Sequence, residues 1–279
     1  MRHNHHAINI KDHMQSKETI IPNYFGEKSS LYGCFHLADD SSDQPPLLIC
    51  QPTGHEYERC HRAMRQLAIQ ATRKGISTLR FDYQSMGDSA GSCDDINLEQ
   101  IKQDILQAIQ HCCVEMEVPQ LSVVGIRLGA SLVAQLDTKE IETLVLYAPV
   151  LDGENLLAEW YRDHKAFLGK HSYASEDDVD ADEILGFPVT ADFKKELSQL
   201  FSPVEPSSSL KRVLFLVDES DIESPQLKDW ANTYQQKGIQ TTIEAVENIA
   251  IWKREPMDAI VPIKTIRRIV KWVAEGKNV

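Results

Sequence analysis

No histidine follows His171 in this chain of 279 residues. A mechanism that draws an imidazole base from the C-terminal third is therefore excluded. Cations are scarce as well: 29 lysines and arginines face 42 aspartates and glutamates, for a formal net charge of −13. Nucleic acid and anionic membrane surfaces are poor bulk partners for such a chain. The six cysteines, Cys34, Cys50, Cys60, Cys93, Cys112 and Cys113, have neither the paired spacing of a zinc site nor the density of a disulfide scaffold. Reduced thiols in a cytoplasmic protein are expected. Apolar runs are strand-sized, and Met1–His6 has no apolar core of signal-peptide length, so no membrane segment is expected. His3, His5, His6 and His13 read as a polar disordered tail over residues 1–17 rather than a metal site.

What the chain does have is alternation. Apolar runs rich in β-branched residues alternate with helix-period segments, the pattern of a mostly parallel sheet with helices on both faces. Ile20–Phe25 and Leu31–Leu37 have no helix between them and predict an antiparallel hairpin. Leu47–Cys50, a helix through Met64, Leu67, Ala68 and Ala71, and Ser77–Phe81 form one βαβ unit. Asn97 is a plausible N-cap for a helix that places Leu98, Ile101, Ile105, Ile109 and Cys112 on one face. Strands are expected at Leu121–Val124, Thr143–Tyr147, Val213–Val217 and Thr241–Val246, with helices through Leu132–Leu136 and Leu227–Tyr234. Pro262 opens or kinks a final helix. The order breaks at about 151–209, where an insertion matches a lid. The fold expectation is α/β, with one domain over 18–279.

Gly125-Ile126-Arg127-Leu128-Gly129 stands directly after a predicted strand and before a predicted helix. That is the place of a Gly-x-Ser-x-Gly nucleophile elbow, with arginine where the serine would be. A guanidinium is always charged and cannot accept an acyl group as a hydroxyl does. For the remaining catalytic positions, Asp221 lies at the offset of a triad acid, while Val246–Trp252 offers no histidine. Oxyanion donors fare better. The N–H of Leu128 follows the nucleophile position, and the turn Gln51-Pro52-Thr53-Gly54-His55-Glu56 offers Thr53, since Pro52 has no N–H. Arg127 suits a carboxylate, phosphate or sulfate, or else an internal salt bridge to Glu56 or Asp221. Trp252 is placed to line the pocket or to cap the core, and Gly54 and His55 complete the candidate binding turn. For His55 and His61, surface positions are expected.

Other motifs carry less. Asp178, Asp180 and Asp182 fail as a calcium loop because Glu183 and Val189 stand at the sixth and twelfth positions. Asp82–Gly91 bears glycines but lacks the lysine of a phosphate loop, and reads as a tight loop over the pocket. No metal site and no cofactor motif emerge.

With Phe81-Asp82-Tyr83 and Gly87-Asp88-Ser89-Ala90-Gly91, these residues resemble the α/β-hydrolase superfamily in its serine aminopeptidase-like group. The Gly125–Gly129 elbow, Ala148-Pro149-Val150-Leu151-Asp152-Gly153, Leu185–Val189 and Trp252 resemble the exosortase A system-associated hydrolases. That resemblance implies neighbours in exopolysaccharide or acyl-linked biosynthesis. Three functions follow as expectations. The first is a degenerate hydrolase that binds a small anionic, acyl-bearing ligand at Arg127. The second is an active ester or thioester hydrolase or acyltransferase, with Glu56 as base and a water or carrier thiol as nucleophile. The third is a structural or partner-binding pseudoenzyme. A homodimer is compatible with each.

Overall fold

The computed structural model describes residues 19–39, 43–170, 182–200, 203–246 and 250–275. The tail assigned to 1–17, His171, Asp178, Asp180 and Glu247–Ile249 lie outside the described residues. Eight strands form the main sheet: β1 (Thr19–Phe25), β2 (Leu31–Leu37), β3 (Leu47–Cys50), β4 (Thr78–Phe81), β5 (Leu121–Ile126), β6 (Ile141–Tyr147), β9 (Arg212–Val217) and β10 (Gln240–Ala245). Their spatial order is β1-β2-β4-β3-β5-β6-β9-β10. β1 and β2 form the expected hairpin, and β2 meets β4 antiparallel. Every later pairing is parallel.

The buried strands read as continuous apolar runs because both faces are covered, and their period of two divides side chains between two cores. Leu48, Val123, Leu144, Leu146, Val213 and Phe215 face one core with helix α2 (Leu98–Glu115) and helix α6 (Pro225–Gln235). Leu47, Ile49, Val124, Val145, Leu214 and Leu216 face the other, covered by α1 (His55–Thr72) and α7 (Ile263–Ala274). Asn97 caps α2 as expected, its side chain accepting from the Gln100 N–H at 2.8 Å. The helix after the elbow, α3 (Leu128–Val133), ends earlier than its apolar pattern suggests. All six cysteines are free thiols. No helix among the described residues is long and apolar enough to cross a membrane.

Between β6 and β9 the chain builds α4 (Gly153–Lys170), the short hairpin β7 (Glu183–Ile184) and β8 (Phe187–Pro188), and α5 (Ala191–Ser198). Leu156, Trp160, Ile184, Val189, Phe193 and Leu197 join these elements to the α2-side core. Gly153 is required here, since a Cβ at this position would lie 1.9 Å from the Leu197 carbonyl oxygen.

Two histidines tie the edge hairpin to the core. His36 is buried and accepts from Arg80 Nε at 3.1 Å. His111 stacks on Phe25 with ring centroids 4.3 Å apart, and lies 2.7 Å from Asn23 Nδ2. Burial lowers both from the usual 6.5 to about 4, with Arg80 and Arg65 adding to the effect at His36. Between those values the unfolded chain takes up protons that the folded chain refuses. Stability is therefore full above pH 6.5 and declines as pH falls toward 4, by about 1.4 kcal/mol per pH unit for each such proton. Urea denaturation across pH 4–7 is expected to show this decline, and His111→Phe is expected to make it shallower.

Candidate functional site

β3 and β5 are neighbours, with Cys50 opposite Gly125, so the turns that follow them abut at the C-terminal edge of the sheet. Their approach is close enough that a Cβ on Gly129 would lie 2.4 Å from the Gln51 carbonyl oxygen. A Cβ on Gly125 would lie 2.5 Å from the Ala130 Cα. Tyr83 Oη donates to the same Gln51 carbonyl at 2.8 Å and fixes the first turn. Arg127 occupies the elbow with φ 54° and ψ −124°, and its N–H donates to the Tyr147 carbonyl at 3.0 Å. A side chain in that backbone region costs about 1–3 kcal/mol, and the surrounding structure must hold it there.

The guanidinium is held from two sides. Arg127 Nε donates to Glu56 Oε1 and Oε2 at 3.1 and 3.2 Å, and Nη2 donates to Oε1 at 3.0 Å. Nη2 also reaches Glu159 Oε2 on α4 at 2.9 Å. Trp160 Nε1 donates to Glu56 Oε1 at 3.0 Å, and the Trp252 ring lies under the guanidinium, 4.4 Å from centroid to Cζ. Glu56, one residue into α1, is 1% exposed and Arg127 8%. Burial alone would lower the Arg127 pKa; Glu56 first, then Glu159, turn the net shift upward. At Glu159 burial acts upward, but Arg127 and Lys253 outweigh it and hold the carboxyl below its ordinary value. Lys253 Nζ meets Glu159 Oε1 at 2.9 Å. Arg59 completes the array, donating to the Trp252 carbonyl at 3.2 Å and facing Glu255 at 3.5 Å.

Among the sequence candidates, Arg127, Glu56 and Trp252 meet in one cluster. Asp221 does not join it. It is exposed after β9, within electrostatic range of Arg127 and Glu159 but bonded to neither, and burial and then Asp218 raise its pKa. Of the two partners offered for Arg127, Glu56 is the one that binds. Leu128 and Thr53 are buried at the two abutting turns. Contrary to the surface position expected for it, His55 is 4% exposed: it is the first residue of α1, and its ring packs against Trp160, 5.4 Å between centroids. His61 is exposed. The sequence reading missed Glu159, Trp160 and Lys253.

Beside this cluster lies a cavity of about 340 Å³. Thr53, His55 and Ser85 line one part of it; Met86, Trp160 and Phe193 line another. The loop Asp82–Gly91 forms its outer wall, braced by Tyr57 Oη donating to Asp82 Oδ1 at 2.7 Å and the Asp88 N–H donating to Oδ2 at 3.1 Å. Among the described residues no group of three or more His, Cys, Asp or Glu could hold a metal ion.

No protein-family model matches the chain, and no curated protein sequence does. Solved structures do. A putative hydrolase from Agrobacterium vitis superposes with a TM-score of 0.56 at 16% identity, over 93% of this chain and 100% of that one. Est1E from Butyrivibrio proteoclasticus, with ferulic acid bound, gives 0.58 at 15% identity over 89% and 94%. A Xanthomonas campestris protein described as an α/β serine hydrolase without lid gives 0.52 at 15% identity over 94% and 94%. The sheet order, the elbow turn and these likenesses define an α/β-hydrolase fold.

Breaking a buried ion pair strands its partner's charge, which costs about 3–5 kcal/mol. Arg127→Ala and Glu56→Ala are each expected to lose stability of that order in urea denaturation. Glu56→Leu combined with Arg127→Met is expected to lose less than the sum of its two single changes.

Proposed function

We propose that this chain binds an acyl-type ligand and does not hydrolyse esters, its reaction centre being closed by the Glu56–Arg127 pair. The observation that carries the reading is the three-contact bond from Arg127, at the nucleophile position, to Glu56. A nucleophile's place is filled by a group that cannot attack an acyl carbon. Glu56 is poorly suited to act as a base, because both its oxygens accept from Arg127 and one also accepts from Trp160. With no histidine after His171, the sequence supplies no imidazole at the usual place. This favours the pseudoenzyme reading over an active ester or thioester hydrolase or acyltransferase.

The ligand occupies the cavity beside the cluster. Its volume of about 340 Å³ falls at the small end of ligand sites. The resemblance of the elbow and of Ala148–Gly153 to exosortase A system-associated hydrolases supports a cytoplasmic role in exopolysaccharide or acyl-linked biosynthesis.

A second reading sets an anionic ligand on Arg127 itself. It is favoured by Glu159, which meets Arg127 through one oxygen only and is 20% exposed, so that a ligand carboxylate could take its place. Under this reading Glu159→Gln tightens octanoate binding several-fold, as measured by isothermal titration calorimetry. Under the first it leaves octanoate weak.

Wild-type protein is expected to release no p-nitrophenol from p-nitrophenyl butyrate above the buffer rate, and Arg127→Ser is expected not to restore release, because no histidine follows His171 to serve that serine as an imidazole base. Turnover in the wild type that disappears in Glu56→Gln would overturn the reading and favour the hydrolase.

A further inference from the structure

We propose that the cavity selects ligands whose polar end is uncharged and both donates and accepts hydrogen bonds, an amide or an alcohol, received by Thr53 Oγ1 and the His55 imidazole. This rests on the ligand-binding reading above and specifies the chemistry of its site.

Thr53 is 1% exposed, lines the cavity, and its Oγ1 has no hydrogen-bond partner. A buried hydroxyl left unpaired costs about 1–3 kcal/mol, so a ligand that pairs it recovers that cost. The adjoining Gly54 faces open space, since a Cβ built there would meet nothing within 4 Å. His55 packs its ring edge-on against Trp160 and lines the cavity beside Thr53. Burial above all, then Arg59 and Arg127, lower its pKa to about 3. The ring is therefore neutral at physiological pH and presents one donor and one acceptor. A hydroxyl offers the same pair of roles, and an amide or alcohol head complements both.

An anionic head has no counterpart here. Among the described residues no lysine or arginine lines the cavity, and the one carboxylate that does, Glu58, would repel an anion. Arg127 is engaged by Glu56 and Glu159 and is not part of the lining. Taking a carboxylate out of water into such a wall without a paired cation is costly. Met86, Trp160, Ile184, Val189 and Phe193 form the apolar remainder and suit an alkyl chain or ring.

Four probes with one chain length separate the alternatives: octanamide, octan-1-ol, methyl octanoate and octanoate, titrated calorimetrically at pH 7.5 into the full-length protein. Octanamide and octan-1-ol are expected to bind at least tenfold more tightly than octanoate. Methyl octanoate, which only accepts, should fall between. Thr53→Val, which keeps the side-chain shape, and independently His55→Phe are each expected to weaken octanamide about five- to tenfold and to leave methyl octanoate within about twofold. Phe193→Ala, on the apolar wall, should weaken all four alike. Octanoate binding as tightly as octanamide would overturn the inference while leaving ligand binding intact. So would an unchanged ratio of amide to ester affinity in both Thr53→Val and His55→Phe. Binding of none of the four would overturn both this inference and the reading beneath it.

Discussion

A guanidinium cannot be deprotonated, so once it is buried the surrounding structure has to supply anions to it. At the C-terminal edge of this sheet the anions are Glu56 and Glu159, and much of the local architecture serves that one requirement. Glu56 must enter α1 at its first turn, where the helix N-terminus also favours a carboxylate. Gly129 must be small so that the two turns can approach. The strained backbone of Arg127, inherited by the elbow geometry, is held by the same contacts that neutralise its side chain. The pair is thus a packing element as well as an electrostatic one.

The charges along this edge alternate. From Glu56 to Arg127, Glu159 and Lys253 each group neutralises the next, and Arg59 with Glu255 repeats the pattern beside them. Such an array spends most of its charge internally, and what reaches the cavity is the pull of Arg59 and Arg127 on the His55 ring, opposed by Glu159. The spare polar capacity on the cavity side is carried by neutral groups instead, the Thr53 hydroxyl and the His55 ring. This division of labour distinguishes the site from one built around a free cation.

The strands were legible from sequence because each is buried on both faces and bounded by turns, and the elbow because glycine spacing after an apolar run is a short-range signal. Glu56 could be offered in advance, beside Asp221 and a bound anion, as a partner for Arg127 because the fold brings the turns after adjacent strands together. Glu159 could not. Nothing in Gly153–Lys170 distinguishes it from Glu154 or Asp163, and its role depends on how α4 crosses the sheet edge, which is a long-range property. Lys253 and Trp160 were hidden for the same reason. His55 is buried where a surface position was expected because Trp160 of α4 packs against its ring, a contact between distant segments of the same kind. Asp221 illustrates the reverse error: its offset from β9 is right, but a carboxylate at the expected offset need not point at the elbow.

The tie between α4 and the segment after β10 makes the attachment of the insertion sensitive to salt. Glu159 on α4 meets Lys253, and its other oxygen meets Arg127 in the elbow, so the inserted helix is fastened across that side of the sheet edge by ions rather than by packing alone. The exposed members of the cavity wall are Glu58, Gly87, Gly91 and Cys93. Salt that screens the half-exposed Lys253 contact to Glu159 loosens the ionic fastening of α4.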